Sequence, residues 1–361
     1  MSTIGNKLKM TIYGESHGPE IGVVLTNFPK NVTIDTDKLL VQMARRAPGN
    51  GSYGTTRKEP DLPIFLSGVE NNVTTGDDIH AVIKNQNAHS NDYDNLKYTP
   101  RPGHADYTAK MKYGDTVNMS GGGPFSGRLT APLVIAGALC RQILAEKGIV
   151  IAAHVKSMAD IEDTCFDTVN PDIDLMNRLN SEPFAVIDTA VKEKMTDAMA
   201  DARKDMDSIG GVVELMVIGM PVGIGGELFD GVEGKLASYI YGIPAVKGVE
   251  FGAGFSVAKM CGSESNDEFC YKKGKVVTKT NNCGGILGGI SNGMPITLKV
   301  AFKPTPSIAK VQNTVDLQSG ENTTLQIKGR HDPCVVPRAV VCVESAVAVA
   351  ITDMLMENGV L

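Results

Sequence analysis

Thr11-Ile12-Tyr13-Gly14-Glu15-Ser16-His17-Gly18-Pro19-Glu20-Ile21-Gly22-Val23-Val24-Leu25-Thr26-Asn27-Phe28 reads as strand, turn, strand. Residues 11–13 and 21–28 are rich in β-branched and apolar side chains. They flank the glycine-bounded turn Gly14-Glu15-Ser16-His17-Gly18. Working outward, residues 35–46 predict a helix, with Asp35 as N-cap and Pro48-Gly49 as its stop. Residues 131–147 form an apolar helix ending at Gly148. In 189–206, Val191, Met195, Ala198, Met199, Ala202 and Met206 recur at helical spacing before Gly210-Gly211 halts the pattern. A short strand, 212–218, follows directly, and 339–356 is a final helix dominated by alanine and valine. Helices and short strands interleave with frequent hairpin turns. That pattern predicts an α+β fold with antiparallel sheets rather than a doubly wound parallel sheet. No Gly-x-Gly-x-x-Gly follows a strand in a βαβ unit and there is no Walker A sequence, so neither nucleotide-binding signature is present.

The rest of the composition narrows the function class. With 42% hydrophobic and 21% charged residues over 361 positions, the chain can bury a large core. The longest apolar run, 133–140, falls short of the ~20 residues a bilayer requires, and residues 1–7 lack a signal-like apolar stretch. A cytoplasmic protein without a membrane role is expected. The seven cysteines, Cys140, Cys165, Cys261, Cys270, Cys283, Cys334 and Cys342, have no framework or metal-ligand spacing. They are expected to be reduced, packed thiols with no metal bound. A net charge of −6 and 5% aromatic residues offer neither a basic stripe nor a stacking surface for nucleic acid.

Three of the six histidines stand inside dense glycine- or arginine-bearing clusters: His17 in Gly14–Gly18, His104 in Arg101-Pro102-Gly103-His104-Ala105-Asp106, and His331 in Gly329-Arg330-His331-Asp332-Pro333-Cys334. Histidine is the usual proton donor near neutral pH, although one in a glycine turn can simply satisfy backbone groups. Arg45, Arg46, Arg57 and Lys58 crowd one stretch. Arg101, Arg128, Arg330 and Arg338 lie in or beside glycine-rich motifs. Guanidinium forks beside exposed backbone N–H groups suit a multiply charged anion. Solvated surface charge, or helix-end cations in the case of Arg45 and Arg46, is the plainer alternative.

Taken in order, these motifs resemble the chorismate synthase family from end to end. They include Gly14–Gly18; Arg45-Arg46-Ala47-Pro48-Gly49 through Thr55-Thr56-Arg57-Lys58-Glu59-Pro60-Asp61; Leu66-Ser67-Gly68-Val69; Thr74-Thr75-Gly76; and 101–107. Asp207-Ser208-Ile209-Gly210-Gly211, Ala245-Val246-Lys247-Gly248-Val249-Glu250, 284–291, Lys303-Pro304-Thr305-Pro306-Ser307 and 329–334 continue the match. One motif departs from it. Where the family carries Gly-Gly-Gly-Arg-Ser-Ser-Ala-Arg-Glu-Thr, this chain has Gly121-Gly122-Gly123-Pro124-Phe125-Ser126-Gly127-Arg128-Leu129-Thr130, without the first arginine and the glutamate. Pro306 is a smaller departure.

The resemblance implies a single large α+β domain over 1–361, a β-α-β sandwich with antiparallel sheets, assembled as a homotetramer. It implies a lyase of the shikimate pathway that eliminates phosphate from 5-enolpyruvylshikimate-3-phosphate to give chorismate. Reduced FMN is the implied cofactor, replenished by an external flavin reductant. His17, His104 and Asp332 match the family's catalytic positions. Arg46, Arg101, Arg128 and Arg330 match those holding substrate anions. Ser126, Ala245, Gly288, Lys303, Thr305, Ser307 and Arg330 match flavin contacts. Two rivals are a flavoprotein that transfers hydride from NADPH and a non-catalytic binding homologue. The retained His17, His104 and Asp332 speak against the second.

Overall fold

A computed structural model describes residues 1–48, 61–85, 98–327 and 332–361. The glycine-bounded turn does join two paired strands. Lys9–Gly14 and Glu20–Thr26 run antiparallel in a five-stranded sheet ordered Ser2–Ile4, Lys9–Gly14, Glu20–Thr26, Ile79–Lys84, Ile64–Ser67. The second strand stops at Thr26 rather than reaching residue 28, because Asn27 turns to a left-handed φ of 65°. A second antiparallel five-stranded sheet is ordered Val246–Phe251, Ile296–Phe302, Gly211–Ile218, Val150–Met158, Ile161–Glu162. Both sheets connect antiparallel neighbours throughout, as the short strands and hairpin turns predict.

Between the sheets lie two helices, Thr130–Glu146 and Val336–Glu357. The first packs on the Glu20–Thr26 and Ile79–Lys84 strands, the second on Val150–Met158 and Gly211–Ile218, and the two pack on each other. A helix enclosed on all sides can be apolar all round, and 19 of the 22 residues of Val336–Glu357 are buried. The two helices pack tightly at Gly137, where any Cβ would collide with the Ser345 backbone. The last helix starts at Val336, three residues before the sequence suggests, because Pro337 is tolerated in a first turn whose N–H groups have no intrahelical partner. Ser120–Glu146 and Val336–Glu357 are each long and apolar enough to cross a membrane by length and composition. This corrects the expectation that no apolar stretch approaches that length; here that apolar surface faces the interior of the sandwich.

The outer helix Thr36–Arg46 covers the first central helix and is capped as anticipated, with the Asp35 side chain accepting from Lys38 N at 3.0 Å. Its last two residues diverge. Arg45 turns inward to Glu344, with Nη1 to Oε2 at 2.6 Å, and Arg141 reaches the same Oε2 at 2.6 Å. Ala153 N completes the ring around this fully buried carboxylate. Of the cysteines, Cys140, Cys334 and Cys342 are buried. Cys165 and Cys261 are exposed and Cys270 and Cys283 intermediate, so the packed-thiol expectation is corrected for four of the seven.

Candidate active site

Six chain segments converge on one cavity of about 670 Å³ at the N-terminal ends of the two central helices. They are 46–48, 101–105, 121–130, 241–247, 302–307 and 332–342, each contributing some of its residues. That volume suits small-molecule ligands, and both helix N-termini favour negative charge there.

The glycine run shapes one wall. Gly121, Gly122 and Gly123 take φ of 62°, 93° and 51°, left-handed values that side-chain-bearing residues adopt only with strain. The turn carrying His17 packs behind it. Ser16 N donates to Gly123 O at 3.3 Å, and the His17 ring lies directly against Gly121. Asn85 Nδ2 holds the same turn through Glu15 O and Gly18 O, while its Oδ1 accepts from Arg128 Nε at 3.2 Å. His17 itself stands behind Gly121 rather than on the cavity lining.

His104 is on the lining, and its orientation is determined by its neighbours. Nδ1 lies 2.7 Å from Asp106 Oδ1. Arg101 grips the same carboxylate with Nε to Oδ2 and Nη2 to Oδ1, both at 2.7 Å. Burial pushes the Asp106 carboxyl upward, but the hydrogen bonds from Arg101 and His104 outweigh it and hold it far below the usual carboxylate range. An ionised carboxylate only accepts, so Nδ1 carries the hydrogen; Arg101 Nη2, 3.1 Å from that nitrogen, cannot also donate to it. Nε2 is left facing Gly122, where a Cβ would meet it at 3.3 Å. Arg101 Nη1 donates to Ser307 Oγ at 3.1 Å. Most of its fork therefore organises His104 and Ser307.

Arg46 and Arg128 both line the cavity and both bind Asp61, which is buried. Also on the lining, Lys303 Nζ donates to Gly103 O, and burial together with the neighbouring Lys247 charge lowers its pKa. Lys303 N donates to Ala245 O at 3.0 Å, and Ala245 holds a left-handed φ of 73°. Thr305 Oγ1 donates to Asp332 O at 3.0 Å, and Ser208 Oγ donates to Thr305 O at 2.7 Å. Arg338 Nη1 lies 2.5 Å from Asp332 Oδ2, and its Nε donates to Arg46 O at 2.9 Å. Ser126 Oγ accepts from Arg128 N. Cys342 also lines the cavity; burial raises its thiol pKa, which disfavours a nucleophilic thiolate.

The cavity thus brings together His104, Asp332, Arg46, Arg101, Arg128, Ser126, Ala245, Lys303, Thr305 and Ser307. Gly288 is not among its lining residues; it sits in the turn between Ile286–Leu287 and Ile290–Ser291. Arg330, His331, Arg57 and Lys58 lie outside the described residues. Arg45 belongs to the core around Glu344. Sequence reasoning gave no role to Asp61, Asp106 or Lys247, although each stands in a quoted motif. It noted Arg338 only as a neighbouring arginine. Asp106, two residues after His104, was the most findable of these.

Comparison with known proteins gives a consistent picture. The family model described as chorismate synthase matches residues 8–356. The chorismate synthase of Pyrococcus abyssi is 44% identical over 352 residues, covering 98% of this chain and 97% of the relative. That of Dehalococcoides mccartyi is 41% identical over 360 residues, covering 100% and 98%. A solved structure titled "Crystal Structure of Chorismate Synthase" superposes with a TM-score of 0.76 at 26% identity, covering 98% of this chain and 93% of that one.

Proposed function

The chain belongs to the chorismate synthase family, a carbon–oxygen lyase family of the shikimate pathway to aromatic amino acids, and we propose that its described cavity is where 5-enolpyruvylshikimate-3-phosphate loses phosphate to give chorismate beside reduced FMN. One observation carries this reading. Among the described residues, six cationic side chains, Arg46, Arg101, Arg128, Lys247, Lys303 and Arg338, line the cavity against the single carboxylate of Asp332, in a chain of net charge −6. Asp61 and Asp106 stand directly behind them and offset two of those charges. Substrate and cofactor together bring two phosphates and two carboxylates, which suits such a wall.

The residues present also fit FMN. Ile243, Pro244, Ala245, Val246, Phe302 and Pro306 offer an apolar surface for a flat ring, and Lys247, Lys303, Thr305 and Ser307 supply cations and hydroxyls for a phosphate. When bound, reduced FMN would supply electron density that is returned by the end of the turnover, so the elimination is redox-neutral. The protein's part is positional and electrostatic. Arg46 and Arg128, with Arg330, would hold the substrate anions, and Arg101 contributes through its hold on Asp106 and Ser307. His17, packed behind Gly121 and off the described lining, would give a proton to the departing phosphate where substrate reaches past that glycine. His104, its Nδ1–H fixed by Asp106, would present Nε2 as the group that becomes imidazolium beside the cofactor. Asp332, ion-paired with Arg338, would accept at a carboxylate oxygen the proton that leaves C6.

The whole chain, 1–361, would act as one unit in the cytoplasm, with FMN reduced by an external reductant. Leu228 and Phe229 are 87% and 96% exposed. Phe255 and Tyr271 are also exposed, and apolar surface of that kind favours association into a homotetramer.

The test is anaerobic: purified protein, substrate and dithionite-reduced FMN, followed by chorismate absorbance and phosphate release. Equal amounts of both products with no net flavin oxidation are expected, and none with oxidised FMN. Stoichiometric NADPH consumption would favour the hydride-transfer rival. Binding of both ligands without chorismate would favour the non-catalytic homologue.

A further inference from the structure

Asp61 is buried with no side-chain surface exposed, yet it stands at the junction of the two guanidiniums that line the cavity. Its two oxygens are divided between them. Oδ2 accepts from Arg46 Nη1 at 2.5 Å and Oδ1 accepts from Arg128 Nη1. Asp61 is absent from the cavity lining while both arginines are on it. The carboxylate therefore sits on the protein side of the pair, where a ligand arriving through the cavity would not meet it first.

Each guanidinium is tied from further directions. Arg46 Nε donates to Thr130 Oγ1 at 3.1 Å and its Nη2 to Gly127 O at 3.2 Å, while Thr130 Oγ1 itself donates to Gly127 O. Arg128 Nε donates to Asn85 Oδ1, the residue that also holds the His17 turn. Asp61 has a φ of 45°, left-handed for a residue with a side chain. Such a conformation persists where surrounding contacts over-determine it. Burial would push the Asp61 carboxyl up, but the charges of Arg46 and Arg128 outweigh burial and hold it ionised.

We propose that Asp61 is a positioning residue: it fixes the spacing and direction of Arg46 and Arg128 so that their outward faces form one preorganised anion seat for the substrate. The inference rests on the reading, given above, that these two arginines meet the substrate. The physical reason is like-charge repulsion. Two adjacent guanidiniums facing a cavity would splay apart or recruit a solvent anion. One carboxylate behind them offsets one of the two charges and holds both side chains on the cavity lining. Donors held in place before binding spare the substrate the cost of ordering them.

The test compares wild type with Asp61→Asn and Asp61→Glu. Asp61→Asn keeps the shape but turns one accepting oxygen into a donor that faces a guanidinium. Its KM for 5-enolpyruvylshikimate-3-phosphate is expected to rise tenfold or more, with a smaller fall in kcat and with FMN affinity, read by fluorescence titration, within about twofold of wild type. Asp61→Glu restores the charge and is expected to recover part of the lost KM. An unchanged or lowered KM in Asp61→Asn overturns the proposal, the latter because it would make the carboxylate a competitor of the substrate. Parallel loss of FMN affinity also overturns it, since the whole wall would then have collapsed. Should Asp61→Asn not fold, Asp61→Glu alone carries the test: a normal melt with KM raised at least threefold supports positioning, and an unchanged KM refutes it. Failure of the underlying reading looks different. Wild type would then give no chorismate, or Arg46→Lys and Arg128→Lys would leave KM unaltered.

Discussion

Gly121→Ala tests whether the packing of His17 on the glycine run matters for chemistry. The substitution has two separable costs. First, φ at this position is 62°, and a left-handed conformation costs an L-residue about 1–2 kcal/mol; that loss is read from the urea midpoint. Second, a Cβ here would lie closer than 3.0 Å to Cε1 and Nδ1 of His17, where ordinary contact begins at 3.4 Å. The ring or the glycine run must therefore retreat by roughly 1 Å, a displacement of the size that lowers rates by about 10²-fold. Expressed as lost transition-state stabilisation, that is about 2.7 kcal/mol. The expected result in the anaerobic chorismate assay is a kcat/KM reduced by about two orders of magnitude, with FMN affinity little changed. A double-mutant cycle isolates the cause. If Gly121→Ala acts by displacing His17, then Gly121→Ala with His17→Ala should be no slower than His17→Ala alone. Full additivity of the two losses, or a Gly121→Ala enzyme within threefold of wild type, would refute the reasoning.

Two predictions concern the scaffold. His154 is fully buried, with Nδ1 2.9 Å from Asp163 Oδ2 and Nε2 2.8 Å from Glu214 Oε2. Burial opposes its charging, but the two carboxylates outweigh burial and raise its pKa above 6.5. A raised value means stability that is complete below pH 6.5 and lost as pH climbs through the folded value. The urea midpoint of wild type should fall over that interval, and His154→Asn should lack this limb; an identical pH profile would contradict the assignment. Glu344→Gln removes the shared partner of Arg45 and Arg141 in the core. It should cost about 3–5 kcal/mol in unfolding free energy, and a loss below about 1 kcal/mol would mean that the neighbourhood rearranges to absorb both cations.

The scaffold was legible where periodicity and local chemistry agree. Asp35 caps its helix through Lys38 N, and the two long apolar segments became the enclosed central helices. Strand and helix ends were less legible, because Asn27 and Pro337 end or begin elements through backbone conformation that hydropathy does not register. Arg45 and Arg46 illustrate the limit within one dipeptide. Neighbours on a helix point about 100° apart, so one arginine enters the core at Glu344 and the other reaches the cavity. Only the tertiary arrangement assigns which is which.

The same limit governs the site. Cations beside glycine turns signal an anion pocket, since guanidinium chemistry and backbone freedom are local properties. The groups that tune those cations are local only in part, as where Asp106 lies five positions from Arg101. Asp61 meets Arg128 from 67 positions away, and Arg101 meets Ser307 across 206. A sequence therefore reveals which groups can hold the ligand more readily than which groups hold them. That distinction also bears on the segment 121–130, where a family arginine is replaced by Pro124 and a glutamate by Leu129. Of the six cationic side chains on the lining, only Arg128 belongs to this segment, and it is anchored by Asp61 and Asn85. The other five come from five separate stretches of chain. Charge supplied from so many directions does not depend on any one motif, so the segment can exchange an arginine for Pro124-Phe125 while the left-handed glycine backbone against which His17 packs stays in place.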